Sequence, residues 1–422
     1  MRMKPIHLAA GYFLALTGAF FRLEWLNKAA IISHKDGLKG EYTTTTLLEI
    51  LRAEDRIGTT IDRTKLDHLR AQLNATLGND GAMWAAFAPY SAFGNDYTFT
   101  SARLLTNQKR LDGFAGLFLM RVFERTESGQ AVLEFSRTWI EQAGDLMERF
   151  VQPLLDPSES TEGWTHRFEE KFGEFDEDRL DAIAARMQSQ TAACARLCRN
   201  LNGLAPHPSR LRFLTIGLSL WLLSYLIHEA SAASNAIGGH LLFADFIGDT
   251  KSRCRAQSCA SFARHRELIY RSYPAWNQAG RFQEIEANYS EFKDDFKILE
   301  EHFSDLAVRC GLAQPRAAQA KRKHYELQPD TCRALVMSLI EDSHVVELPI
   351  LAQRLKETWG ICVGAAIDDR ADLHAAGYHG LDDDDDLRVN RGAFIALLKK
   401  LELAFEPSDG LVLCALQNDP AI

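Results

Sequence analysis

The residues best suited to chemistry lie between His228 and Glu267: His228, Glu229, His240, Asp245, Asp249, His265 and Glu267. Asp245 and Asp249 are spaced one helical turn apart, so on a helix both carboxylates share a face, and Lys251 follows closely. Two carboxylates that position a divalent cation, beside a lysine that steadies developing charge, are the parts of a metal-dependent enzyme acting on nucleic acid. On that reading Asp245, Asp249 and Glu267 are the ligands. Against it, no compact motif ties these residues together and no strand pattern carries them. Isolated charged residues of this kind ordinarily form surface pairs or helix caps.

Two cysteine pairs raise a second possibility, because four thiolates can hold a structural zinc ion. Cys194 with Cys198 is an i,i+4 pair on a helical pattern, and neither it nor Cys254 with Cys259 has the two-residue spacer of a zinc ribbon. Free thiols are the plainer expectation, and eight cysteines in 422 residues form no dense disulfide framework. The run Asp382 to Asp386 offers hard oxygen ligands but lacks the alternate spacing and glycine of a calcium-binding loop. It reads as a solvated flank ahead of a helix, where negative charge suits the helix dipole. The chain contains no Walker loop, no Gly-x-Gly-x-x-Gly after a strand, no Gly-x-Ser-x-Gly and no His-Glu-x-x-His. Gly238-Gly239-His240 reads as a helix stop. No metal and no cofactor are expected.

Cations give the other legible signal. The chain carries 48 Lys and Arg against 57 Asp and Glu, a formal net charge of -9, so any contact with a polyanion must be local. In the basic segment 251–271, Lys251, Arg253, Arg255, Arg264, Arg266 and Arg271 face only Glu267 among carboxylates. A second cluster comprises Arg316, Lys321, Arg322, Lys323 and His324, and a third comprises Arg388, Arg391, Lys399 and Lys400. Phosphate affinity depends on such local Lys and Arg. The candidate nucleic-acid-binding set is therefore Arg253, Arg255, Arg264, Arg266, Lys321, Arg322, Lys323, Arg388, Arg391, Lys399 and Lys400, with Asn390 as the one amide able to reach a base edge.

These residues must be positioned by a scaffold, and its periodicity is helical along most of the chain. Hydrophobic residues are 46%, charged residues 25% and aromatics 10%, which excludes wholesale disorder and fibrous compositions. Met1 to Lys4 followed by the apolar run 6–21 has the look of a signal peptide, yet the apolar pattern continues through Trp25 and Leu26. Helices are expected over 43–56 and 62–77, and an aromatic loop, packed rather than used for stacking on bases, over 82–100. The uncharged run 213–227 is short for a membrane span and suits a buried core helix. The sequence predicts a mainly α, multi-domain protein: an N-terminal helical domain over 1–156, a central helical domain over 164–314, a basic linker over 315–328 and a C-terminal domain over 329–422. In that last domain helices are expected at 331–341, 348–359 and 387–403, followed by two apolar arms around Pro407-Ser408-Asp409-Gly410, a hairpin signal.

Helix, helix, helix, hairpin is the order of a winged helix-turn-helix. The run Leu351-Ala352-Gln353-Arg354-Leu355, then 390–401 with Phe394, Leu397 and Leu398, then Ser408-Asp409-Gly410, resembles the winged-helix ends of uncharacterised proteins from bacterial multi-gene operons, anti-phage defence clusters among them. The resemblance covers less than a quarter of the chain. Ordinary cysteine usage, the short apolar run and the missing motifs point to a cytoplasmic, non-catalytic protein with no membrane association, and the resemblance implies a subunit of a bacterial complex, in a setting such as anti-phage defence, that binds duplex DNA, partner proteins or both. The chain departs from a DNA reader at Asp382 to Asp386, whose charge would repel phosphates. A metal-dependent enzyme on Asp245, Asp249 and Glu267, and a pure protein-interaction scaffold, are the alternatives.

Overall fold

The computed structural model describes residues 12, 20–21, 114–138, 155–156, 177–204, 207–276, 303–315, 322–341, 344–381, 384–408 and 410–416. Of these, 66% are helical, so the protein is mainly α. The helices expected over 43–56 and 62–77 and the aromatic segment 82–100 lie outside the described residues. The chain divides into two compact units: one takes residues 5–188 and 205–215, the other 1–4, 189–204 and 216–422. Neither 156–164 nor 315–328 is a boundary of these units.

In the first unit, β1 (Phe20–Phe21) pairs antiparallel with β2 (Leu155–Asp156). Helix α1 (Phe114–Phe123) packs against α2 (Glu177–Arg186), and Arg125 bridges to Glu177 and, at 3.7 Å, to Asp181. Tyr12 is fully buried, with its hydroxyl 3.0 Å from Ser136 Oγ and its ring edge-on to Phe123.

The second unit contains α3 (Gln188–Leu204) from residue 189 and α4 (His207–Ala233) from residue 216. These helices approach closely at Gly217, where a Cβ would lie 2.7 Å from the Leu197 side chain. Trp221, fully buried, donates its indole N–H to Thr191 Oγ1 at 3.0 Å. The stretch Arg212–Ala233 is long and apolar enough to cross a membrane, but 78% of its apolar window is buried within the protein, as a core helix requires. Next come β3 (Leu242–Phe243), α5 (Arg253–Trp276), β4 (Ala313–Gln314) and β5 (His324–Tyr325). Strands β4 and β5 pair antiparallel, and α5 packs on β3 and β5. The segment expected as an exposed linker is thus partly interior: Lys323, His324 and Tyr325 are buried. Its polarity suggests a linker in isolation, but strand pairing and the underside of α5 enclose it.

The C-terminal elements are α6 (Pro329–Leu339), β6 (Val345–Glu347), α7 (Leu348–Trp359), β7 (Ile361–Cys362), α8 (Asp369–Ala375), α9 (Asp384–Lys400), β8 (Ala404–Ser408) and β9 (Leu411–Ala415). Proline opens α6, where the missing N–H costs no intrahelical bond, and Pro349 does the same in the first turn of α7. Helix α7 stops at Gly360 in the left-handed region, φ 69°, and a Cβ there would meet His240 O at 2.4 Å. That close approach lets β7 pair in parallel with β3, through Leu242 N–H to Gly360 O and Ala244 N–H to Cys362 O. Strands β6, β9 and β8 form one antiparallel sheet in that order, with an irregularity between Phe405 and Ser408 where edge-strand Pro407 sits.

Residues 329–422 share one compact unit with residues 189–204 and 216–328. Four carbonyls at the C-terminal end of α6, which have no partner within the helix, are taken by side chains from elsewhere. Asn200 Nδ2 donates to Met337 O and Ile340 O at 2.6 and 2.7 Å, Arg196 to Ser338 O at 2.9 Å, and Arg354 to Leu339 O at 2.9 Å. The two guanidiniums also complement the negative end of the helix dipole.

Candidate nucleic-acid interface

Helix α9 begins in carboxylates and ends in Lys399 and Lys400, the charge order that its dipole favours. Leu387, Asn390, Phe394 and Leu398 follow at helical spacing and are all buried. Phe394 packs against Phe246 with the rings tilted by 43° and their centroids 4.8 Å apart. Asn390, 0% exposed, bonds on every available side: its Oδ1 accepts Phe246 N–H at 2.8 Å, and its Nδ2 donates to Ala244 O and Val363 O at 3.0 Å each. This single amide pins α9 to the loops that follow both parallel strands. Reaching a base edge would require breaking all three bonds, so Asn390 is a structural clamp rather than the base reader expected from sequence.

The opposite arc of α9 is exposed and carries Arg388, Val389, Arg391, Gly392, Ala396, Lys399 and Lys400. Arg388 is held by Asp385 at 2.9 Å, and Lys399 by Glu406 of β8 at 2.6 Å. Both pairs are well exposed, the class of ion pair that contributes least and exchanges most readily for phosphate. Arg391 and Lys400 have no carboxylate partner among the described residues. From α5, Arg253 reaches the first turn of α9 through Asp386 at 3.5 Å, with its side chain 66% exposed. Arg253, Arg388, Arg391, Lys399 and Lys400 therefore belong to one helix and its immediate border. The charges of Asp385 and Asp386, two of the five carboxylates in the acidic run, are matched by Arg388 and Arg253.

The other basic residues have different fates. Arg255 turns inward, where Nε donates to Asp245 Oδ2 at 2.5 Å and Nη2 to Glu326 Oε2 at 3.2 Å. His324 completes the network, with Nε2 2.9 Å from Glu326 Oε2 and Nδ1 3.4 Å from Arg255 Nη1. The hydrogen bond from His324 leads in holding the Glu326 carboxyl below its ordinary range, with Arg255 contributing. Arg264 donates to Ala376 O and to Ile237 O and lies over the Tyr378 ring at 5.4 Å. Arg266 is half-buried, and burial lowers its pKa. Lys323 donates to Pro315 O at 3.1 Å, Arg322 is exposed, and Lys321 lies outside the described residues.

Asp245, Asp249 and Glu267 are not gathered into a cation site. Asp245 is fully buried and spent on Arg255 and on Ile247 N–H, whereas Asp249 and Glu267 are exposed. Among the described residues no group of three or more His, Cys, Asp or Glu is arranged to hold a metal ion. That overturns the metal-site reading of these three residues, and Cys194, Cys198, Cys254 and Cys259 are free thiols. Burial pushes Cys194 and Cys254 up to about 12, so neither is a thiolate at neutral pH.

One charged cluster has no sequence signature. Lys356 is buried between Asp372, at 2.6 Å, and Asp369, at 3.5 Å. Asp369 Oδ2 accepts three successive backbone N–H groups, from Gly364, Ala365 and Ala366. Burial raises the Asp369 pKa in spite of those bonds. The cluster shapes the loop after β7, whose carbonyl at Val363 is one of the groups Asn390 holds.

Comparison with known proteins finds no matching family model, no similar curated protein and no similar solved structure.

Proposed function

We propose that the chain is a non-catalytic duplex-DNA-binding protein whose contact surface is the outward arc of α9. The observation that carries this reading is the segregation of α9: its one amide and its apolar stripe are buried, while Arg388, Arg391, Lys399 and Lys400 stand outside with Arg253 at their border. A helix of this kind supplies phosphate contacts at close quarters. Reading residues 329–422 as a winged helix is part of the same proposal. It is supported by a strand, β6, between the first two helices, by a hairpin directly after α9, and by the sheet β6-β9-β8 that unites them. The segment with β7 and α8 between α7 and α9 is an addition to that plan. Membership of a bacterial multi-protein system, including a defence setting, rests on the resemblance in sequence alone.

A second reading, binding of partner proteins, is favoured by one feature. Val345, Phe405 and Leu411 are 53%, 40% and 37% exposed, and strand register puts them on the same outer face of the sheet. An apolar sheet face is a surface for protein and not for phosphate.

The test is titration of labelled duplex DNA with the full chain, against the variant R388E/R391E/K400E. Loss of binding in a variant that unfolds at the same urea concentration as the parent supports the proposal. Undiminished binding in the variant removes α9 from it and places the DNA contact elsewhere, whereas no binding by the parent chain leaves partner binding at the sheet face as the working account.

A further inference from the structure

We infer that α9 binds duplex DNA through its phosphates and discriminates weakly among base sequences; this rests on the function proposed above and specifies its ligand. Base readout needs donors and acceptors aimed into a groove, and bidentate groups provide most of it. On α9 the amide that would read adenine, Asn390, is buried with all three of its bonds made inside the protein. The uncharged residues of the exposed arc, Val389, Gly392 and Ala396, have no hydrogen-bonding side chain, and the charged ones beside them, Arg388 and Lys399, are paired with Asp385 and Glu406. Of the two outward arginines, Arg388 already gives Nε and Nη2 to Asp385 Oδ1 at 3.3 and 2.9 Å. Arg391 is the one outward guanidinium of α9 with no carboxylate partner among the described residues, and so can pair with guanine without first giving one up. A single such pair is worth about thirtyfold in affinity.

Steric openness is consistent with groove entry. A Cβ built on Gly392 meets nothing within 4 Å, so the middle of the arc is unobstructed backbone. Arg391 and Lys400 project to opposite sides of that arc, since nine residues separate them at about 100° per residue. A helix with cations on both flanks, and with Arg388 and Lys399 beside the open backbone of Gly392 between them, matches a major groove about 12 Å wide, bordered by two phosphate strands. A single strand offers no second border. Aromatic stacking, which single-strand binding uses, has no provider on this arc because Phe394 is inside.

The experiment measures fluorescence anisotropy of several unrelated labelled duplexes of about 20 base pairs, and of one single strand, with the full chain across a salt series. The expected result is affinities within about thirtyfold among duplexes, a weaker single strand, and a log–log salt slope near about -4. The variant Gly392→Leu is expected to fold as the parent does and to bind every duplex at least about tenfold more weakly, because the arc no longer enters the groove. A preference beyond thirtyfold for one duplex, equal binding of the single strand, or full binding by Gly392→Leu overturns the inference while leaving DNA binding in place. No binding to any duplex at low salt overturns the proposed function itself.

Discussion

Helices α5 and α9 are both basic in sequence and pack against each other, yet they use their charge in opposite directions. On α5, Arg255 closes a buried network with Asp245, His324 and Glu326, and Arg264 serves backbone carbonyls of two loops. On α9 the cations remain outside, and the interior face carries an uncharged amide. The difference lies in what surrounds each helix. Contacts to β3, β5 and α9 surround α5 with carboxylates and unpaired carbonyls, whereas α9 covers the core with one stripe only. Buried acceptors take a guanidinium wherever one is within reach, because leaving either group unpaired is costly. A count of Lys and Arg along the chain therefore measures how many cations exist, and not how many face a ligand.

The largest effect that would test this contrast is at Arg255. Arg255→Ala leaves Asp245, 0% exposed, as a buried carboxylate without its guanidinium, and is expected to cost about 3–5 kcal/mol in urea unfolding. Its effect on DNA affinity should be small once the folded fraction is accounted for. Unchanged stability together with lost DNA binding would reverse the roles assigned to the two helices.

A pH series probes the same interior. His265 of α5 is fully buried, its Nδ1 2.6 Å from the Tyr325 hydroxyl, and burial, aided by nearby Arg264, depresses its pKa from 6.5 to about 3. The unfolded chain binds this proton near pH 6.5 and the folded chain only near 3. The stability supplied by the neutral ring is thus complete above pH 6.5 and declines as pH falls toward 3, by about 1.4 kcal/mol per pH unit. Replacing His265 with Gln should flatten that part of the unfolding profile; an identical slope in the variant would assign the acid sensitivity to other groups.

Smaller losses are expected at the clamp. Asn390→Leu deprives Ala244 O, Val363 O and Phe246 N–H of their shared partner, and should lower stability by about 2–3 kcal/mol. If thermal unfolding of this variant matches the parent, Asn390 does not anchor α9. The smallest effect has the opposite sign: Gly392→Ala, at an exposed interior helix position with open space for a Cβ, should stabilise by about 0.5–1 kcal/mol. A destabilised Gly392→Ala would mean that the outward arc is covered.

Local chemistry made the elements themselves legible. The spacing of Leu387, Phe394 and Leu398, the proline that opens α6, the helix stop at Gly360 and the apolar arms around Pro407 and Gly410 are each set by neighbours a few positions away. The helices expected at 331–341, 348–359 and 387–403 accordingly correspond to α6, α7 and α9 within a few residues, and the arms to β8 and β9. The fate of polar side chains was not legible by the same means. Asn390 and Arg255 look like ligand groups in a basic stretch because their acceptors lie far off in sequence, at Ala244 and Val363 for one and at Glu326 for the other. The basic segment 315–328 looks like a linker because β4 and α5, which enclose its end, leave no mark on its composition. Sequence alone determined where helices begin and end and how much charge each carries, since those depend on short-range backbone bonding and the periodicity of burial. Only the tertiary structure decided which charges are spent inside and which face solvent, since that depends on distant carbonyls and carboxylates that must be satisfied once water is excluded.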